Sequence, residues 1–149
     1  MSWLYQSREF TEDDIGDAYG YVYCITNVST NQKYLGKKFF SKAGYKQVKG
    51  KRKKIRKPSD WLTYWGSNKT LLEDVKTLGE ENFTREILHL CKTRSECAYL
   101  ELREQIDNRV LESDSWYNDW VAVKIRKDHL KNLIKSDTNT YKENDEETR

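Results

Sequence analysis

The stretch Ala18–Phe40, AYGYVYCITNVSTNQKYLGKKFF, sets two runs of aromatic and β-branched residues on either side of a polar segment. Tyr19 to Thr26 has the composition of a strand, and Lys33 to Phe39 reads as a second. Between them Asn27 to Gln32, NVSTNQ, supplies turn-forming residues, so the stretch predicts a β-hairpin. It contains four tyrosines, Tyr19, Tyr21, Tyr23 and Tyr34, and no acid. Lys33, Lys37 and Lys38 stand among them.

The acid-free character continues to Ser59. Over that span lie Lys42, Lys46, Lys49, Lys51, Arg52, Lys53, Lys54, Arg56 and Lys57, while the C-terminal SDTNTYKENDEETR is acidic overall. The formal net charge of +3 hides this asymmetry. A concentrated positive field attracts polyanions, and phosphodiester backbones are the commonest. The segment Phe40–Pro58 shows no apolar period and is punctuated by glycine, so it reads as a basic loop or arm. Its expected task is to track a DNA backbone without reading bases.

Downstream, Ser59 or Asp60 can cap a short helix over Trp61–Tyr64, and Ser67 or Asn68 a second one. Leu71, Leu72, Val75 and Leu78 follow helical spacing, and Gly79 can end that helix. Phe83–Cys91, FTREILHLC, reads as a third strand. Thr93 and Glu96 have capping-box spacing and open a helix from about Ser95 to Leu111. Its expected buried stripe is Ala98, Leu102, Ile106 and Val110, with Glu101 at the edge. The expected organisation is a lead-in over 1–17, one domain over 18–126 with the basic arm at about 42–57, and a helix remnant with a disordered tail over 127–149.

Of the chain's 149 residues, 36% are hydrophobic and 34% charged, and five Trp, ten Tyr and four Phe give it enough aromatic surface for a core. No apolar run is long enough for a bilayer and the N-terminus lacks a signal-peptide pattern, so the expectation is a cytoplasmic protein with no membrane partner. Cys24, Cys91 and Cys97 cannot close a disulfide set and are not spaced as zinc ligands. They read as reduced, buried thiols.

If the polyanion drawn to this charge is a phosphodiester to be cut, its hydrolysis requires a nucleophilic water, charge relief on the phosphate and help for the leaving oxygen. A hard divalent cation takes oxygen ligands, and magnesium often uses one or two carboxylates together with water and phosphate. The basic half of the chain offers none, so the carboxylate must come from further on. Glu101 is the first choice, with Glu104 and Glu96 as fallbacks.

Two pairs of letters carry a family resemblance. Tyr21-Val22-Tyr23, followed by ITN, and Tyr34-Leu35-Gly36 resemble the paired motifs of the GIY-YIG nuclease superfamily. The downstream WLTYWGSNKTLLEDVKTLGEENFTREIL is similar to the phage-encoded branch of Seg-type homing endonucleases. The resemblance runs from about Tyr19 to Asn118. It departs from the family pattern where Tyr21 takes the place of the first glycine, with Gly20 one position earlier. It departs again after the second motif, where no single arginine stands out. Arg56 and Arg52 are candidates for that role, with Lys37 or Lys38 substituting in part.

The resemblance implies an α+β fold, a central three-stranded antiparallel sheet flanked by helices. It implies a DNA endonuclease using one divalent metal, magnesium or else manganese, with in-line attack by water and 5′-phosphate and 3′-hydroxyl products. It implies Glu101 as metal ligand, catalytic roles for Tyr23 and Tyr34 with Tyr23 as base, and cations at Lys37 and Arg56. Lys38, Lys42, Lys46, Lys49, Lys51, Arg52, Lys53, Lys54 and Lys57 are expected to bind DNA. A phenol with a pKa near ~10 is a poor base at neutral pH. The expectation is that Lys37 or Lys38, together with a metal-bound water, favours the phenolate. Asn118 is expected to cap a helix exit, and Gly66-Ser67 to form a tight turn. Either a monomer or a homodimer fits. Two rivals remain: a DNA-binding module on the same fold without activity, and a phage protein whose arm binds an acidic partner.

Overall fold

In the computed structural model, which describes residues 2–123 and 127–130, a five-stranded sheet is covered on both faces. Strands β3 (Gly20–Asn27) and β4 (Lys33–Phe39) form the expected hairpin, with Tyr23 opposite Gly36. The buried Asn27 shapes the turn, its Oδ1 accepting from Ser29 N at 3.0 Å and Thr30 N at 3.3 Å. This is an Asx turn, in which a side chain replaces a backbone acceptor. Strand β7 (Phe83–Cys91) pairs antiparallel with β3, completing the expected three-stranded unit. The expected lead-in adds two more strands: β1 (Trp3–Tyr5) runs parallel to β7, and β2 (Arg8–Phe10) pairs with β1. The sheet order is β2-β1-β7-β3-β4, which leaves β4 at an edge.

Alternation along β3 sorts the core. Tyr21, Tyr23 and Ile25 join Trp3, Phe40, Trp61, Trp65, Leu71, Val75, Phe83 and Ile87 in the larger cluster on one face. A 3-10 turn (Trp61–Thr63) and helix α1 (Lys69–Leu78) contribute to it. Trp3 Nε1 donates to Trp61 O at 2.7 Å, so a strand omitted from the sequence-based sheet anchors that turn. Trp61 and Trp65 are core residues, as their aromatic surroundings favour. Asn68 is the α1 cap, accepting from Leu71 N at 2.9 Å, and Gly79 ends the helix.

Helix α2 (Arg94–Asp107) covers the other face. Thr93 caps it by accepting from Glu96 N at 3.0 Å. It ends a turn before the expected Leu111, because Asn108 donates to Glu104 O at 2.8 Å and Arg109 turns to a φ of 51°. The buried stripe also differs from the expected one. Cys97, Glu101 and Gln105 are buried, whereas Ile106 is 59% exposed. The polar members of that stripe find partners on β4 that an apolar stripe would not need. Cys91 and Cys97 are buried free thiols and Cys24 is half-buried.

The arm is where sequence and structure differ most. Ser41–Val48 and Lys51–Pro58 form strands β5 and β6 of a separate two-stranded ribbon. Lys49 (φ 51°) and Gly50 (φ 73°) make its turn, with positive φ at both central residues as tight hairpins of this hand require. No described helix is long and apolar enough to cross a membrane. Of the expected C-terminal helix remnant and tail, only a 3-10 turn over Lys127–Leu130 falls within the described residues.

Candidate active site

A cavity of about 410 Å³ opens beside edge strand β4, between α2, the ribbon root and the segment around Tyr64. Five residues expected in catalysis, Tyr23, Tyr34, Lys37, Arg56 and Glu101, all line it. Local structure explains how each arrives there. Tyr34, Gly36 and Lys38 alternate onto one face of β4, and Lys37 onto the face that meets α2.

Gly36 is what lets the Tyr23 hydroxyl reach the cavity. A Cβ at position 36 would lie 2.5 Å from Tyr23 Oη, well inside contact distance. Tyr23 is 1% exposed, its ring edge-on to Trp3 and Tyr64 and 6.2 Å from Tyr34. The Tyr34 hydroxyl is 3.3 Å from Ser67 Oγ. Gly66, next to Ser67, adopts a φ of 87°. A left-handed backbone of this kind favours glycine.

The protein groups around the two phenols raise them rather than lower them. Burial pushes Tyr23 well above its ordinary value, and neighbouring Tyr34 and Tyr64 add to the rise. Tyr34 is raised as well, chiefly by burial and against a hydrogen bond to Ser67. The lysines meant to lower them are engaged elsewhere. Lys37 Nζ donates to Glu101 Oε1 at 3.1 Å. Lys38 Nζ lies 2.6 Å from Asp60 Oδ1 and 4.1 Å from the Tyr64 ring centre. The hydrogen bond from Lys38 holds the Asp60 carboxyl below its usual range.

Glu101 is 9% exposed at the cavity wall. Gln105, one turn along α2, lines the same cavity, and its buried Oε1 has no hydrogen-bond partner among the described residues. A carboxylate and a spare amide oxygen on adjacent turns suit a hard cation that fills its remaining positions with water and phosphate. No cluster of three acidic, histidine or cysteine side chains occurs among the described residues, so the protein itself offers few ligands. The fallback carboxylates are placed elsewhere. Glu104 Oε1 lies 2.9 Å from His89 Nε2, and Glu96 is exposed near the start of α2. Neither lines the cavity.

Arg56 is fixed at the ribbon root, donating from Nη2 to Ser41 O at 2.7 Å and to Ser41 Oγ at 3.0 Å. Arg52 lies towards the ribbon tip, opposite Gln47, and does not line the cavity. Lys38 and Lys42 line it; Lys46, Lys49, Lys51, Lys53, Lys54 and Lys57 belong to the ribbon beyond.

One contributor escaped the sequence reading, and another was weighed there for a supporting role through the resemblance alone. Arg94, the first residue of α2, lines the cavity with its guanidinium 5.3 Å from the Phe39 ring centre. Asn118, expected at a helix exit, is buried against β4 instead. It accepts from Leu35 N at 3.0 Å and donates to Leu35 O at 2.8 Å, and Gln105 also donates to Leu35 O at 3.1 Å. These bonds occupy the free edge of β4 at Leu35, between Tyr34 and Gly36. Arg94 gave no signal because its spacing matches no motif. Asn118 gave one only through the family resemblance.

Tyr21, the departure from the first motif, lies in the core rather than the cavity, packed on Trp3, Phe40 and Trp61. Burial raises its phenol far above the ordinary range, and its hydroxyl has no partner among the described residues.

The sequence profile described as "Putative endonuclease segE, GIY-YIG domain" matches residues 3–121. A curated relative, "Putative endonuclease segE" of Enterobacteria phage T4, is 33% identical over 102 residues, which is 67% of this chain and 40% of the relative. The chain thus spans about two fifths of that relative's length. No solved structure matches. The match extends through β1, β3, β4, β7 and α2 to Val121, taking in both tyrosine motifs and Glu101. The chain belongs to the GIY-YIG nuclease superfamily, in its Seg-type phage branch.

Proposed function

We propose that this protein is a metal-dependent DNA endonuclease that hydrolyses phosphodiester bonds, phage-encoded, homing-type and acting in the host cytoplasm. The observation that carries this reading is the convergence of Tyr23, Tyr34, Lys37, Arg56 and Glu101, from four separate elements, on one cavity at the root of a basic ribbon. Structural packing alone has no need to bring two phenols, two cations and a carboxylate together.

Glu101 would hold magnesium or manganese, with Gln105 Oε1 as a further oxygen at the site. A divalent cation bound there relieves charge on the phosphate and favours attack by water. Arg56 and Arg94 both line the cavity and balance the phosphate's negative charge. Lys37 keeps the Glu101 carboxylate in position. Tyr23 and Tyr34, protonated at neutral pH, donate hydrogen bonds that hold the phosphate and orient the water. This replaces the phenolate base with a pair of neutral donors. DNA is the partner, bound chiefly through the ribbon.

The test is plasmid nicking with magnesium, manganese or EDTA, comparing wild type with Glu101→Ala. Metal-dependent nicking lost in the variant, by about 100-fold or more, supports the reading. Tight DNA binding without nicking by wild type would overturn it in favour of an inactive DNA-binding module.

A further inference from the structure

The ribbon is a two-faced object. Directly paired residues share a face, so Ala43 with Arg56, Tyr45 with Lys54 and Gln47 with Arg52 form one side. Lys42 with Lys57, Gly44 with Ile55, Lys46 with Lys53 and Val48 with Lys51 form the other. The basic run KRKKIRKP therefore sorts both of its arginines onto one face and Lys51, Lys53 and Lys57 onto the opposite one.

The arginine face continues the cavity wall, since Ser41, Ala43 and Arg56 line the cavity from it, against Lys42 alone from the other side. A duplex with a phosphate seated in the cavity has room to run along that face. The face is also prepared for directional contacts. Arg52 stacks on Tyr45, with 3.9 Å from guanidinium carbon to ring centre, and its guanidinium donors make no hydrogen bond to a described residue. Stacking orients the fork of donors before binding, which a lysine cannot match. Gln47 sits directly across the ladder from it. Arginine and glutamine are the side chains that pair in bidentate fashion with guanine and adenine edges.

Each strand has eight residues, so the ribbon is roughly 25 Å long. That length spans about seven base pairs. A two-stranded ribbon fits the major groove.

Resting on the endonuclease reading for the position of the cut phosphate, we propose that this ribbon is the sequence-reading element. It lies in the major groove of duplex DNA beside the cut site, with Gln47 and Arg52 toward the base edges and the lysine face supplying phosphate contacts around the ribbon edges. This goes beyond a backbone-tracking arm.

The test separates reading from affinity and needs no cleavage. The full chain, in EDTA, is incubated with a pool of randomised duplexes, and bound sequences are compared for wild type, Gln47→Ala/Arg52→Lys and Lys46→Ala/Lys53→Ala. The Arg52→Lys change keeps the charge and removes the fork. Wild type should enrich a short motif, and the Gln47/Arg52 variant should lose that preference by about fivefold or more. The lysine variant should keep the motif, bind all duplexes more weakly, and show a salt slope shallower by about two.

Undiminished preference in the Gln47/Arg52 variant overturns the proposal. So does binding to single-stranded DNA, RNA or polyglutamate as tight as to duplex. Selection as expected together with no nicking under any metal would support the ribbon's role and count against the endonuclease reading alone.

Discussion

Gly36 lies directly across the β3–β4 ladder from Tyr23, and a Cβ on Gly36 would come within 2.5 Å of the Tyr23 hydroxyl. The second motif's glycine is therefore the space through which the first motif's tyrosine reaches the cavity. Two short motifs separated in sequence act as one steric unit.

Gly36→Ala should displace the Tyr23 hydroxyl, destabilise the fold by about 1–3 kcal/mol and abolish nicking while DNA binding persists. The double variant Gly36→Ala/Tyr23→Phe removes the nearest clashing atom and leaves the ring carbon Cζ, 2.8 Å from the added Cβ position, to shift. Urea melts should show it recovering part of the stability that the single variant loses, without recovering activity. Equal stability of the two variants would mean that the methyl is accommodated some other way.

Lys37 and Glu101 form an ion pair at the cavity wall, 3.1 Å apart. A bound cation and the Lys37 ammonium compete for the same carboxylate, so Lys37→Met should tighten binding of manganese to the free protein. The expected gain is about tenfold, given the strength of charge interactions near a protein surface. Calorimetric titration measures it. Nicking should fall in the same variant, because the carboxylate loses its fixed position. Unchanged manganese affinity would show that the cation does not bind at Glu101.

The Tyr21 hydroxyl is buried without a partner among the described residues, and its phenol is pushed far above its ordinary value. The unfolded phenol ionises near ~10. Above that pH the unfolded chain releases a proton that the folded chain retains, so stability is intact below pH ~10 and falls as pH rises further. Tyr21→Phe should be neutral or stabilising by about 1 kcal/mol at pH 7 and should flatten the alkaline fall. Melting curves at pH 7 and above pH 10 test both parts. A loss of stability at pH 7 would indicate a hydrogen bond to that hydroxyl.

Asn118 satisfies both backbone groups of Leu35. Asn118→Ala leaves the buried Leu35 N–H without this acceptor, at a cost of about 1–3 kcal/mol. Because Leu35 stands between Tyr34 and Gly36, nicking should drop more steeply than stability does. Asn118→Asp can restore the acceptor but not the donor, so it should recover only part of the stability. Cleavage rates measured well below the melting temperature separate positioning from unfolding.

The chain's letters alone determined the β3–β4 hairpin, α1 with its glycine stop, β7 and the start of α2. Each follows from a short-range pattern: β-branched and aromatic runs, turn residues, a cap, a helical period. They also pointed to Tyr23, Tyr34 and Glu101, through the family resemblance rather than through periodicity. Tertiary structure decided the rest. Trp3–Tyr5 is too short to read as a strand and gains its place by pairing with β7, a contact distant in sequence. The ribbon has no apolar alternation to reveal it, because its period of two distributes cations over both faces, with both arginines on one; backbone pairing and the Lys49-Gly50 turn hold it. The protonation of the site phenols is a matter of burial among Trp3, Tyr34 and Tyr64. A sequence shows which charges a chain carries, but only the folded packing determines how much water each one keeps.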